Sequence, residues 1–376
     1  MIFQRVMKMK TRMTFGSWEA ITVLVNSIFV QVFLSFPRDM AAYGGGAGWM
    51  VSLIITVVVL IYFSISSALY ENIGSLDLLD ISERAGGRVL KIIVGFLITA
   101  FLFFELTAFL GGFSQMLKMI SLDKSPLGFV EILFLIGIIA CAYFGIEAVV
   151  RINAFLLPVV IAGFLLITAG VIPQMDINNI FPVMGEGYTS IAMGSLNKLS
   201  AYSPIIILFF MIPFFKKKYI KRVGYVSILI SGLLLLWATL SFLLLYPYQI
   251  AVDNKIPVFQ MAKYIEFGNF LQRIESVFVL ISSISSLLYL GAIFTFIIHI
   301  MQKSLSLKRS KPIILPMAVI SLTVADMLKR MNINMVNSKA ANMIWLAGML
   351  LPLIIIIFGA VKKVGKKSAK GGGEID

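Results

Sequence analysis

The sequence predicts an all-α membrane protein whose ten transmembrane helices form a five-plus-five inverted repeat with discontinuous helices 1 and 6. Three observations lead to this fold class. The chain of 376 residues is 59% hydrophobic and 13% charged, whereas a water-soluble domain has about a quarter of its residues charged. The apolar residues fall into ten runs long enough to cross a bilayer, the fourth only just. The first and sixth runs are each interrupted by polar residues.

The ten predicted spans form a single transmembrane domain, residues 14–361. A basic N-terminal tail, residues 1–13, precedes this domain. A basic and then glycine-rich C-terminal tail, residues 362–376, follows it and is predicted to be disordered. The predicted spans are residues 15–37, 46–70, 90–119, 127–144, 147–172, 189–214, 221–246, 270–302, 312–331 and 341–361.

The net charge of +14 is explained by membrane topology and does not indicate a nucleic-acid partner. Most lysines and arginines lie in the two tails and in alternate loops. The positive-inside rule then places both termini in the cytoplasm, where these charges also attract anionic lipid of the bilayer. The chain has one cysteine and one histidine, so neither a disulfide framework nor a metal site is expected. No motif for catalysis or for a cofactor is present, which leaves transport or ligand sensing.

The first run, Ala20 to Pro37, carries Asn26, Ser27 and Gln31 in its middle. Polar groups at bilayer depth must face protein or a lined cavity. Two explanations are open: these residues join helix to helix, or they mark a binding site near the bilayer midplane.

The sixth run is interrupted in the same way, by Lys198, Ser200, Tyr202, Ser203 and Pro204. Two broken segments five spans apart are the pattern of an inverted repeat whose broken helices hold the ligand. This correspondence favours a binding site over helix-to-helix contacts in the first run.

Glu105 lies at the centre of the third run, beside Phe101. A carboxylate at that depth is costly, so it marks a site, a proton path or a structural hydrogen bond. In the eighth run, four serines from Ser282 to Ser286 and then Tyr289 indicate that at least one serine faces a central cavity.

Two connecting segments carry further expectations. The loop Glu71–Arg88 mixes both charge signs and has helical apolar spacing. It is either a surface helix that lies under the bundle or docks a partner, or a solvated linker helix. The glycine-rich segment Tyr43–Gly48 is expected to be a flexible outer turn.

Three short strings resemble the B subunits of endospore germinant receptors, which belong with the amino acid, polyamine and organocation transporters. They are Asp176–Asn179 followed by Pro182–Gly187, the Phe270–Ser276 opening of the eighth span, and Asn26-Ser27 with Pro37-Arg38 in the first span. The resemblance implies a leucine-transporter-type fold and a small-molecule germinant, often an amino acid. It also implies a place in the spore inner membrane beside receptor A and C subunits.

The resemblance also shows departures that bear on the ligand. Family members that bind small amino acids tend to have Gly-Ala-Gly where this chain has Val30-Gln31-Val32. Glu105 falls at a pocket position that is commonly apolar, and Tyr289 falls where a threonine is known. The candidate ligand-binding residues are Asn26, Ser27, Val30, Gln31, Phe101, Glu105, Tyr202, Ser203, Pro204, Ser285 and Tyr289.

Three functions remain open at this stage, and none of them is enzymatic. The leading one is a germinant-sensing membrane subunit that binds an amino acid or related amine and triggers spore germination. The alternative is a proton-coupled secondary transporter of amino acids or amines. The third is a structural scaffold that assembles the A subunit after its own pocket has decayed.

Overall fold

The computed structural model describes residues 15–71, 73, 76–185, 187–215, 217–265, 274–330 and 339–362. The predicted N-terminal tail and almost all of the C-terminal tail lie outside these residues, as does the start of the eighth predicted span, 270–273. The apolar runs are helical because only a helix satisfies its own backbone polar groups inside a bilayer.

The helices are numbered here in chain order. They are α1 (Ser17–Phe29), α2 (Phe36–Gly44), α3 (Gly48–Glu71), α4 (Leu78–Ile120), α5 (Leu127–Phe144), α6 (Ile146–Gly170), α7 (Tyr188–Asn197), α8 (Ile206–Met211), α9 (Ile220–Leu245), α10 (Tyr248–Asp253), α11 (Pro257–Lys263), α12 (Glu275–Ser304), α13 (Lys311–Arg330) and α14 (Lys339–Val361).

The helices in this order can be assigned to the ten predicted spans. Among the described residues, eight helical segments are long and apolar enough to cross a membrane. The other two predicted spans are the first, which is broken, and the ninth, helix α13. Spans two to five are α3 to α6, and span seven is α9. Span eight is α12, and span ten is α14.

The packing shows the inverted repeat. Equivalent spans of the two halves lie against each other: α3 packs on α9, α4 packs on α12, and α5 packs on α13. The cross-contacts are reciprocal too, since α4 of the first half packs on α14 and α12 of the second half packs on α6. Such reciprocity is what a pseudo-two-fold axis in the membrane plane produces.

Both predicted interruptions are breaks in helix geometry. In span one, α1 gives way to the 3₁₀ segment Val30–Phe33, and Leu34 has a non-helical ψ of −110° before α2 begins. In span six, α7 is followed by the seven-residue 3₁₀ segment Leu199–Ile205, which leads into α8. The 3₁₀ segment of span six contacts α1, so the two breaks meet inside the bundle.

The glycine-rich segment predicted as a flexible turn is ordered helix. Helix α2 runs to Gly44, and a 3₁₀ turn, Gly45–Ala47, joins it to α3. A Cβ on Gly46 would lie 2.3 Å from the Ile180 carbonyl oxygen. Glycine is therefore required for close backbone approach, and flexibility is not its role here.

In the described part of the Glu71–Arg88 segment, residues 71, 73 and 76–88, the structure favours the helix that packs against the bundle. Asp77 caps α4 in a capping box with Asp80, and Leu78, Leu79 and Ile81 behind it are buried. Gly87, at φ 77°, then kinks α4 into its membrane part. The solvated-linker interpretation is wrong for this segment because its apolar face is covered.

Candidate ligand-binding cavity

A cavity of about 60 Å³ lies where the two broken spans meet spans three, eight and ten. That volume exceeds the roughly 10–15 Å³ that one ordered water molecule needs. The lining residues are Gln31, Leu34, Ser35, Phe36, Asp39, Glu105, Ala108, Phe109, Lys198, Ser200, Tyr289 and Trp345.

Glu105 is the buried carboxylate of this cavity. Its side chain is fully covered, and the Ser203 hydroxyl donates a hydrogen bond to Oε1. Within the described part of the chain, Oε2 is buried and has no hydrogen-bond partner. Most buried polar atoms in native proteins are hydrogen-bonded, so the wall of the cavity holds an acceptor that a donor group on a ligand could satisfy.

A buried ion pair between Asp39 and Lys198 forms another part of the cavity lining. The Lys198 ammonium lies 2.7 Å from Asp39 Oδ2, and the two side chains are only 9% and 7% exposed. The Ser35 hydroxyl donates to the same carboxylate oxygen at 2.9 Å. The pair connects α2 of span one to the break in span six. Any movement of one of these two spans relative to the other must therefore stretch or break the pair.

Gln31 connects the two breaks directly. Its Nε2 donates to the carbonyl oxygen of Ala201 at 3.3 Å. Pro204 has no N–H to return to the carbonyl three residues earlier in a 3₁₀ segment, and the Gln31 amide supplies a donor there. Gln31 thus holds the break in span six while its side chain lines the cavity.

Aromatic rings form the apolar part of the lining. The Tyr289 ring lies edge-to-face with Phe109 at 4.7 Å between centroids. The Trp345 ring packs against the rings of Phe101 and Phe104, with 5.8 and 5.3 Å between ring centroids. Ring faces attract cations as well as apolar groups.

The structure brings four of the eleven candidate residues together at the cavity. Gln31, Glu105 and Tyr289 line it, and Ser203 is bonded to Glu105. Whether these residues contact a ligand stays a prediction.

The other seven candidates lie away from the cavity lining. Asn26 and Ser285 bond to each other, and the Ser27 hydroxyl bonds back to the Val23 carbonyl at 2.7 Å. The Tyr202 hydroxyl lies 2.9 Å from Thr56 Oγ1. The remaining three, Phe101, Val30 and Pro204, are buried in packing. Part of the interruption in span one therefore does join helix to helix.

Sequence reasoning did not include Asp39, Lys198 or Trp345 among the candidates. A signal for the first two was present, because Lys198 lies inside the interruption of span six and a lysine at that depth requires a partner. The acid was not identified as that partner, since Asp39 was placed just outside the first span. Trp345 carries no such signal, because only packing brings span ten to the cavity. Across the described ranges, no cluster of three metal-ligating side chains occurs.

Ten spans with breaks in the first and sixth define a leucine-transporter-type membrane protein, and solved structures confirm the fold. A Na⁺-coupled sialic acid symporter in a substrate-bound, outward-open state has a TM-score of 0.64 at 11% identity, covering 96% of this chain and 91% of that one. Mhp1, a nucleobase-cation-symport-1 family transporter closed around bromovinylhydantoin, has a TM-score of 0.61 at 12% identity, covering 91% and 77%.

Residues 16–333 match the family model described as spore germination protein, and the chain belongs to this family. Spore germination protein A2 of Bacillus subtilis (strain 168) is 23% identical over 273 residues, which is 71% of this chain and 74% of the relative. Spore germination protein B2 of the same strain is 21% identical over 217 residues, 56% and 58% of the two chains. The resemblance found in the sequence is thus confirmed.

Proposed function

We propose that this chain is the membrane subunit of a spore germinant receptor and that it binds a small nutrient, an amino acid or related amine, in the cavity between the broken spans. The observation that carries the proposal is the fully buried carboxylate of Glu105, which is bonded on one oxygen by Ser203 and unpartnered on the other. An ammonium group on the ligand satisfies that oxygen with a charge-assisted hydrogen bond.

In this proposal, ligand binding triggers germination by changing the conformation of the helix bundle. A ligand that draws Glu105 away from Ser203 releases the break in span six. Spans one and six are tied by Gln31 and by the Asp39–Lys198 pair, so they respond together. The proposed partners are receptor A and C subunits, and the proposed location is the spore inner membrane with both termini cytoplasmic. The whole of residues 14–361 acts as one transmembrane domain between two tails.

Ligand-dependent thermal stabilisation of the purified protein tests this proposal. A panel of amino acids, amines, sugars and nucleosides is added to the wild type, to Glu105→Gln and to Glu131→Gln. Glu131 is also a buried acid, but it lies in α5 and outside the cavity lining. We expect stabilisation of the wild type and of Glu131→Gln, and loss of the response in Glu105→Gln. An unchanged response in Glu105→Gln contradicts the role of this carboxylate.

A proton-coupled transporter of amino acids or amines is the second candidate function. It is favoured by the fold shared with two symporters and by a mid-span carboxylate that can carry a proton. Proteoliposome uptake separates the two functions, because accumulation driven by a pH gradient supports transport. The scaffold hypothesis predicts instead that cavity variants leave germination intact while changes in Glu71–Arg88 abolish it.

A further inference from the structure

The cavity has an uneven set of charges. Within the described part of the chain, the ionisable acids and bases that line it are Asp39, Glu105 and Lys198. Lys198 and Asp39 are paired at 2.7 Å and neutralise each other. Glu105 is bonded to a neutral hydroxyl, and its charge, once ionised, has no counter-ion among the described lining residues.

We propose that the cavity selects a small monocation, an amine that lacks a carboxylate, over the zwitterionic amino acid with the same side chain. This rests on the proposed function and narrows its ligand class. The cation supplies the counter-ion that Glu105 lacks, so the loaded cavity becomes neutral.

A zwitterion meets a different environment. Its ammonium could bind Glu105, but the lining offers its carboxylate only neutral donors such as Gln31 and Ser200, because the lining cation Lys198 is already held by Asp39 and buried with it. The carboxylate would have to displace Asp39 or lie in a largely buried site without a counter-ion, and both are unfavourable.

The aromatic lining works in the same direction. Phe109, Tyr289 and Trp345 all line the cavity. A cation that lies over the face of one of these rings is attracted by it, and a carboxylate is not. The volume of about 60 Å³ favours a small ligand. Since Glu105 is fully covered, a side chain of the cavity wall must shift before the ammonium reaches Oε2.

Matched ligand pairs test the proposal on the full-length protein. Thermal stabilisation is measured at neutral pH with alanine, alaninamide and ethylamine, and with glycine, glycinamide and methylamine. We expect the amides and simple amines to stabilise the wild type at concentrations on the order of tenfold lower than the zwitterions do, since tenfold is a modest free-energy difference for one unpaired charge. The Glu105→Gln variant should lose this difference, and Glu131→Gln should keep it.

The outcomes separate the two proposals. Equal or stronger stabilisation by the zwitterions overturns the monocation inference and leaves the proposed binding function standing. No stabilisation by any compound overturns both. A cation preference that persists in Glu105→Gln also overturns the inference, because the selecting charge would then lie elsewhere.

A change of the ion pair gives a second readout. Asp39→Asn removes the carboxylate that Lys198 contacts at 2.7 Å, and we expect the preference to move toward the zwitterions. A folded Asp39→Asn protein that still prefers the amines contradicts the proposal. If Asp39→Asn does not fold, the wild type and Glu105→Gln comparison decides.

Discussion

Asn26 in span one and Ser285 in span eight exchange two hydrogen bonds across the bundle. Asn26 Nδ2 donates to the Ser285 carbonyl at 3.0 Å, and the Ser285 hydroxyl donates to Asn26 Oδ1 at 2.7 Å. Both residues are fully buried. The interruption of span one thus has two parts, a helix-to-helix contact at residue 26 and a cavity contact at Gln31.

Replacing Ser285 by alanine removes the cross-span hydroxyl bond. We expect Ser285→Ala to destabilise the protein by about 0.6 kcal/mol, the average for hydrogen bonds between membrane helices, and by no more than about 1.7 kcal/mol. The measurement is thermal melting in detergent. Ser282→Ala is the matched control, because this serine is buried in the same helix but bonds back to the Val279 carbonyl. Equal losses in the two variants would show that the cross-span bond contributes nothing.

Breaking the buried Asp39–Lys198 pair should be far more damaging than breaking an exposed pair. Asp39→Asn removes one partner of a buried ion pair, which typically costs about 3–5 kcal/mol. The control is Glu147→Gln, which breaks an exposed i,i+4 pair with Arg151 that is worth about 0–1 kcal/mol. Thermal melting of both variants is the test, and similar melting temperatures would contradict the structural role of the buried pair.

The contact between spans three and eight depends on Gly95. A Cβ there would lie 2.6 Å from the Cβ of Ser304, whereas a Cβ on Gly112 of the same helix meets only Leu34 Cδ1 at 4.0 Å. We expect Gly95→Ala to lower stability by about 1–3 kcal/mol through overpacking. Gly112→Ala should gain from alanine's higher helix propensity. A neutral Gly95→Ala in thermal melting would contradict the close approach of the two helices.

Lys303 of α12 holds the first part of α4, before the kink at Gly87, against the bundle. Its ammonium contacts the buried Asp77 and also lies 2.7 Å from Asp80. Lys303→Gln should therefore speed amide hydrogen exchange across residues 78–86, because the capped end of α4 loses its tie to α12. Lys221→Gln is the control, since its bridge to Glu71 is about half exposed. Unchanged exchange in Lys303→Gln would show that packing alone holds the segment.

Much of the fold could be predicted because the bilayer restricts the chain so strongly. A long apolar run in lipid has to be helical, so composition located the spans, and the polar interruptions located both breaks. The glycine-rich turn could not be predicted, because whether Gly46 provides flexibility or close contact depends on Ile180, which is distant in sequence.

The candidate site was only partly predictable. Glu105 was found because an acid at mid-span is costly wherever it points. Tyr202 was grouped with the cavity from its position in the break, but its hydroxyl reaches Thr56 instead. Helical periodicity does not show in which direction a residue of a 3₁₀ segment points. Residues that are adjacent in the same break can therefore contact different parts of the bundle.

By itself the sequence determined that this chain spans a membrane, that its two halves repeat, and that spans one and six are broken, because these properties follow from local hydrophobicity and its interruptions. Only the tertiary structure decided that Asp39 pairs with Lys198 and that, among the residues that the structure describes, Glu105 has no such counter-ion. Charge compensation in a low-dielectric interior depends on distances of a few ångströms between spans. Those distances are set by the packing of the whole bundle.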